Sequence, residues 1–237
     1  MWPWQLCVGF LWSTVTLLAL PEAQEKPFVS TWMEKTVVEF GSSVVVNCST
    51  NCKDIRDGGL ETHLKREAAG EGPTWRAFRL VNISRWEPTP WCYFDCGDFE
   101  MKPHRVNFTI YRVPELVELD PVPVMEVGKN YTLTCRVSSV APIRNLSVAF
   151  LQGGKRLHLQ TFEKHAAREA SDVVVTHIVT AQQADRGEEI SCHAALDLRP
   201  EGQLFGQASL NQSLETVDEF TSSSLQGKSA TRPKSIS

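Results

Sequence analysis

The chain has 237 residues, of which 42% are hydrophobic and 22% charged, and its formal net charge is −4. That balance belongs to folded globular protein, with room for one large domain or two of about 100 residues. The charge is too mild to attract nucleic acid or an anionic membrane, and no basic run is interleaved with aromatics, so nucleic-acid recognition is excluded.

Residues 1–23 read as a secretory signal. Positions 6–20 are almost wholly apolar and uncharged, and Pro21 and Glu22 lead to the small Ala23. The run is too short for a comfortable membrane span. Cleavage near Ala23 removes Cys7 and leaves Cys48, Cys52, Cys92, Cys96, Cys135 and Cys192. An even cysteine count in a secreted chain reads as a disulfide framework. Zinc is the rival, because Cys48/Cys52 and Cys92/Cys96 form two C-x3-C pairs. The signal and the spacing speak against it, and no metal or cofactor is expected. N-x-S/T sequons start at Asn47, Asn82, Asn107, Asn130, Asn145 and Asn211, as suits a glycosylated extracellular protein.

Taken in order, Val37-Val38 and Val44-Val45-Val46 flank Gly41-Ser42-Ser43, a strand, a turn and a strand. The second strand carries Cys48 and reaches Cys52, on the same face. Cys92 and Cys96 repeat the arrangement, and 44 positions separate Cys48 from Cys92 and Cys52 from Cys96. The spacing suits an immunoglobulin-type sandwich, whose second and sixth strands lie in opposite sheets, run the same way and are bridged through the core. Strands running the same way pair first with first, which predicts Cys48–Cys92 and Cys52–Cys96. Closing a loop of this size contributes roughly 4 kcal/mol in the chain-entropy picture.

Residues 65–73 are polar and glycine-rich and read as a loop, and residues 76–83 as a strand. Val106, Phe108 and Ile110 alternate with Asn107 and Thr109 as a closing strand. A hairpin centred near Glu100 puts Asn107, and a sugar on it, opposite Tyr93. Arg112-Val113-Pro114-Glu115 is a short boundary stiffened by proline. The second half repeats the plan. Tyr131, Leu133, Cys135 and Val137 form an inward strand face, and residues 146–160 read as a hairpin turning on Gly153-Gly154. Residues 173–180 form a β-branched strand. Ile190, Cys192, Ala194 and Leu196 complete the pattern, with Cys135–Cys192 as its bridge. The expected fold is all-β, two tandem immunoglobulin-like β-sandwich domains at 24–112 and 113–217, followed by a polar tail at 218–237. No apolar run after the signal spans a membrane. The chain as written reads as secreted, and a longer membrane-anchored form is compatible with it.

Strand parity singles out Glu61. With Leu60 and Leu64 facing the core, Glu61 and His63 face out. With Cys92, Phe94 and Cys96 inward, Trp91, Tyr93 and Asp95 face out on the same sheet, with Lys65 and Arg66 near the end of the Glu61 strand. An exposed aromatic beside charges is the composition of an interface hot spot. The segments Asn47-Cys48-Ser49-Thr50-Asn51-Cys52, Gly59-Leu60-Glu61-Thr62 and Cys92-Tyr93-Phe94-Asp95-Cys96 resemble the first domain of the intercellular adhesion molecule family. The stretch from Val127 to Cys135, Asn145-Leu146-Ser147-Val148, and Leu196-Asp197-Leu198-Arg199-Pro200 are similar to its second domain. The resemblance implies binding to leukocyte integrins. Glu61 matches the family glutamate that completes the coordination of a Mg²⁺ in the integrin's inserted domain. Thr62, Arg66, Tyr93 and Asp95 match its supporting contacts. Related vascular adhesion molecules carry aspartate there, so glutamate implies the leukocyte partners.

Other readings fare worse. No H-E-x-x-H, G-x-S-x-G, P-loop or G-x-G-x-x-G is present, so neither an enzyme nor a small-molecule substrate is expected. Leu196-Asp197-Leu198 could serve as an integrin tripeptide, but its parity buries Leu196. Two alternatives keep the fold and change the role: an unanchored decoy that occupies integrins, or a relative working through homophilic or glycan contacts.

Overall fold

Apolar side chains at every second position fold the first half into two facing sheets. Its strands are β1 (Val29–Met33), β2 (Val37–Glu39), β3 (Val44–Thr50), β4 (Asp57–Glu61), β5 (Arg66–Gly72), β6 (Trp75–Leu80), β7 (Trp91–Asp95), β8 (His104–Arg105) and β9 (Thr109–Tyr111). One sheet has the order β1-β3-β6-β5 and the other β4-β7-β8, while β2 runs parallel to β9. In β3, Val44, Val46 and Cys48 are buried and Val45, Asn47 and Ser49 lie half-buried on the outer face. The core between the sheets gathers Val46, Leu60, Leu80, Ile83 and Phe94 around Cys48–Cys92. The computed structural model describes residues 26–97 and 101–218. The expected signal and all but the first residue of the expected tail lie outside them.

The second half repeats the design with β10 (Leu116–Leu119), β11 (Met125–Glu126), β12 (Asn130–Val140), β13 (Leu146–Gln152), β14 (Lys155–Thr161), β15 (Ser171–Thr180), β16 (Glu189–Asp197), β17 (Leu204–Ala208), β18 (Gln212–Ser213) and β19 (Thr216–Val217). Its sheets are β10-β12-β15 and β14-β13-β16-β17, with β18 on β16 and β11 parallel to β19. The β13–β14 hairpin turns on Gly153 and Gly154 at φ +54° and +77°, both in the left-handed region that a two-residue turn of this kind needs. The architecture is the immunoglobulin-like β-sandwich, twice. All three expected bridges are present, Cys48–Cys92, Cys52–Cys96 and Cys135–Cys192, with Cα atoms 5.4, 6.1 and 6.1 Å apart.

Two expectations need correction. Residues 65–73 are not a loop, because β5 occupies 66–72 and pairs along β6. This edge strand has six exposed residues and one half-buried one, so it has no apolar alternation to betray it. The closing strand is also not continuous. β8 pairs with β7, β9 pairs with β2, and residues 106–108 between them lie outside any strand, although the Val106 N–H donates to the Pro90 carbonyl at 2.9 Å. Val106 and Ile110 are still buried as their parity requires.

The halves meet through Arg112. Its guanidinium lies 4.7 Å from the Phe40 ring centroid and 5.7 Å from that of Trp86, and donates to Ser139 Oγ at 3.2 Å. Its main chain exchanges hydrogen bonds with Ala141. Tyr111 stacks on Phe205 at 5.3 Å, and Arg168 pairs with Glu87 at 3.3 Å.

Candidate functional site

Glu61 is the last residue of β4. Leu60 before it is fully buried, while Glu61 itself is exposed. Two glycines make the approach to Glu61. A Cβ on Gly58 would stand 2.4 Å from Cδ1 of Phe94, so only glycine lets that ring fill the core beneath β4. A Cβ on Gly59 would lie 3.5 Å from the Tyr93 ring, in ordinary contact. Arg76 donates to the Gly58 carbonyl from behind and pairs with Asp57 at 3.6 Å. The antiparallel register sets Glu61 opposite Trp91, Gly59 opposite Tyr93 and Asp57 opposite Asp95.

The Glu61 carboxylate has no hydrogen-bond or ion-pair partner among the described residues. It lies between two shallow hollows. One, of about 640 Å³, is lined by Glu61, Thr62, His63, Thr89, Trp91 and Pro103. The other, of about 250 Å³, is lined by Leu60, Glu61, Arg66 and Tyr93. Trp91 is 37% exposed, a large apolar surface beside an acid. Thr62 is half-buried, and its Oγ1 accepts from the Leu64 N–H at 3.1 Å. That bond closes the turn that ends β4, so Thr62 holds the shape of the site.

Arg66 reaches Tyr93 and Glu61 by a different route from the one expected. It opens β5 in the opposite sheet and crosses over the Phe78 ring, 5.7 Å from its centroid, to line the same hollow. Asp95 does not join Glu61. It faces Asp57 at the far end of β4, about 13 Å along the strand. Its Oδ1 accepts from the Gly97 N–H at 3.1 Å. Thr89 and Pro103 were not singled out in the sequence. They reach Glu61 only because the register Cys92–His104 brings the two sides of a hairpin together, and no local signal announces that.

Asn107 needs correction too. With Trp91 opposite Arg105 and Cys92 opposite His104, the continued register puts Tyr93 opposite Pro103, so Asn107 does not face it. Asn107 is exposed and instead lines a hollow at the joint with Trp86, Glu87, Arg168 and Glu201. Of the other sequon asparagines, Asn82, Asn130 and Asn211 are exposed. Asn145 is half-buried, and its Nδ2 donates to the Asp197 carbonyl at 2.7 Å. Asn47 is half-buried with its Oδ1 enclosed and unbonded. The Leu196-Asp197-Leu198 tripeptide is closed to a partner, since Leu196 and Leu198 are 0% and 5% exposed. The Asp197 carboxylate is bound by Arg199, whose hydrogen bonds hold its pKa down at about 2.

Residues 24–116 match the intercellular adhesion molecule N-terminal domain. Over 211 residues the chain is 37% identical to intercellular adhesion molecule 5 of Homo sapiens, covering 87% of this chain and 23% of that protein. Over 181 residues it is 38% identical to intercellular adhesion molecule 1 of Rattus norvegicus, covering 75% and 32%. The chain thus spans about a quarter to a third of these relatives. Among solved structures, a D1–D4 ectodomain fragment of intercellular adhesion molecule 5 superposes with a TM-score of 0.69 at 36% identity, covering 81% of this chain and 51% of that one. The ectodomain of mouse nectin-like molecule 4 superposes with a TM-score of 0.55 at 18% identity, covering 78% and 67%, a likeness of fold alone.

Proposed function

The chain belongs to the intercellular adhesion molecule family of the immunoglobulin superfamily, and from that premise we propose that it is an extracellular adhesion ligand whose Glu61 completes the coordination of a Mg²⁺ held by the inserted domain of a leukocyte integrin. In this reading the integrin-binding unit spans residues 24–112 and the second unit 113–217. The observation that carries it is the Glu61 carboxylate, exposed and without a partner among the described residues, at the end of a strand anchored by the fully buried Leu60. Mg²⁺ is a hard octahedral ion that prefers oxygen ligands and keeps open positions for a partner's carboxylate. A glutamate whose backbone is already fixed by its strand has only its side chain left to order on binding, which favours affinity.

The neighbours divide the remaining work. Tyr93 and Arg66 flank the carboxylate on one side, offering a ring with a hydroxyl and a cation to the integrin surface around the metal. Trp91 flanks it on the other side as an apolar anchor. Thr62 holds the turn, and Asp95 serves the edge of the footprint, a strand length away. The test is binding of the secreted chain to a leukocyte integrin in Mg²⁺. EDTA should abolish it, and so should Glu61→Ala, whose exposed side chain leaves the core untouched. Tyr93→Ala or Arg66→Ala should weaken it by roughly tenfold or more, as hot-spot truncations do. Binding that survives both EDTA and Glu61→Ala refutes the metal bridge.

A further inference from the structure

β15 is the last strand of its sheet. β12 pairs with one side of it, and among the described residues no strand pairs with the other. A free edge of this kind presents unpaired N–H and C=O groups, and proteins ordinarily blunt it with lysine, proline, a bulge or short length. β15 carries none of these devices. It is 10 residues long, its register with β12 is unbroken from Val173 to Thr180, and it contains no lysine, arginine or proline. Val173 and Val175 are buried, whereas Val174 and Ile178 on the outer face are 53% and 64% exposed. The main-chain N–H of Ala181 donates to Lys129, and its carbonyl accepts from Gly128. Antiparallel alternation then directs the main-chain groups of Val179, His177, Val175 and Val173 toward β12. Those of Thr180, Ile178, Thr176, Val174 and Asp172 point away.

From this edge we propose that β15 pairs antiparallel with β15 of a second copy of the chain, about a two-fold axis at Thr176. In that register Val174 of one copy faces Ile178 of the other, so the exposed apolar side chains cover each other. Thr176 faces its counterpart, and no like charges meet. The Asp172 carboxylate is turned aside, accepting from the Ser139 N–H at 2.9 Å. The facing pairs exchange about ten main-chain hydrogen bonds, as many as an ordinary protein interface holds. This self-complementarity favours a second copy over an unrelated strand. Sugar on Asn130, one strand in from the edge beside Thr180, would rise from the sheet face and leave the edge open. A single paired edge is small, so the dimer dissociates readily. β15 begins beside the joint, where Asp172 holds Ser139 and Ser139 holds Arg112. The two first halves therefore project in opposite directions, and both Glu61 sites stay uncovered.

Sedimentation velocity of the full chain, in a series up to about 1 mM, should show a reversible dimer. Thr176→Pro removes an N–H that points away from β12, which an edge strand tolerates, and should leave only monomer. Thr176→Lys sets two cations face to face and should do the same. Thr176→Cys, with its Cα about 5.5 Å from its counterpart, should form an intermolecular disulfide, whereas Ile178→Cys, facing Val174, should not. A chain that stays monomeric throughout, or a dimer that survives both Thr176→Pro and Thr176→Lys with an unchanged far-UV spectrum, overturns the proposal.

Discussion

Gly58→Ala tests how closely the strand behind Glu61 is fitted. The added methyl would meet Cδ1, Cε1 and Cγ of Phe94 at 2.4, 2.8 and 3.0 Å. Phe94 is 4% exposed and packs in the core beside Cys92, so the ring has no free space to enter. Overpacking of this kind costs about 1–3 kcal/mol. In a domain of this size each kcal/mol lowers the unfolding midpoint by about 4–8 °C. Gly59→Ala is the internal control, since its methyl lies 3.5 Å from Tyr93 and touches without overlap. It should be neutral, or gain the roughly 0.4–1 kcal/mol that comes from a less flexible unfolded chain. Thermal unfolding followed by tryptophan fluorescence measures both. Phe94→Leu in the Gly58→Ala background should recover much of the loss, because the two positions share one volume. Equal midpoints for Gly58→Ala and the parent, or equal losses at positions 58 and 59, would refute the argument.

Arg112→Ala should loosen the joint by removing a cation over Phe40 and Trp86, a contact worth about 1–2 kcal/mol where it is partly desolvated. X-ray scattering in solution should show a broader range of interdomain angles, with the unfolding of each half little changed. Asn107→Gln should leave integrin binding within about 0.5 kcal/mol of the parent in a titration, because that residue belongs to the joint. His177 has its pKa lowered by burial first and by the stacked His158, 4.6 Å away, second. The fold thus favours the neutral ring, and its contribution is complete above about pH 6.5 and is lost as pH falls through the lower folded value. His177→Phe should flatten the fall in stability between neutral and mildly acid pH in denaturant titrations.

Covalent and turn constraints were legible in the residues. Equal separations of 44 paired the four cysteines of the first half, and Gly153-Gly154 fixed the β13–β14 hairpin. Parity alone turned Glu61 outward, because buried Leu60 and Leu64 leave it no other face. What escaped was whatever depends on partners rather than on local pattern. β5 buries no side chain fully, so nothing in its composition separates it from a loop. Arg66 reaches Glu61 from the opposite sheet, a proximity set by how the sheets face each other. The place of Asn107 depends on the β7–β8 register, which no local pattern in the sequence fixes.

The two bridges of the first half also decide where tension would go. A pull on Glu61 enters β4 and passes to β7 through the ladder that joins Glu61–Trp91 to Asp57–Asp95. Along that ladder the bonds are loaded together in shear and cannot open one at a time. β7 in turn is tethered near both ends, at Cys92 and at Cys96, to the opposite layer of the sandwich. From the carboxylate two routes lead into the fold, the hydrogen bonds to β7 and the chain itself back to Cys52 and its bridge. β4 is therefore held along its length by β7 and at its start by the Cys52–Cys96 bridge, a mount fixed on two sides.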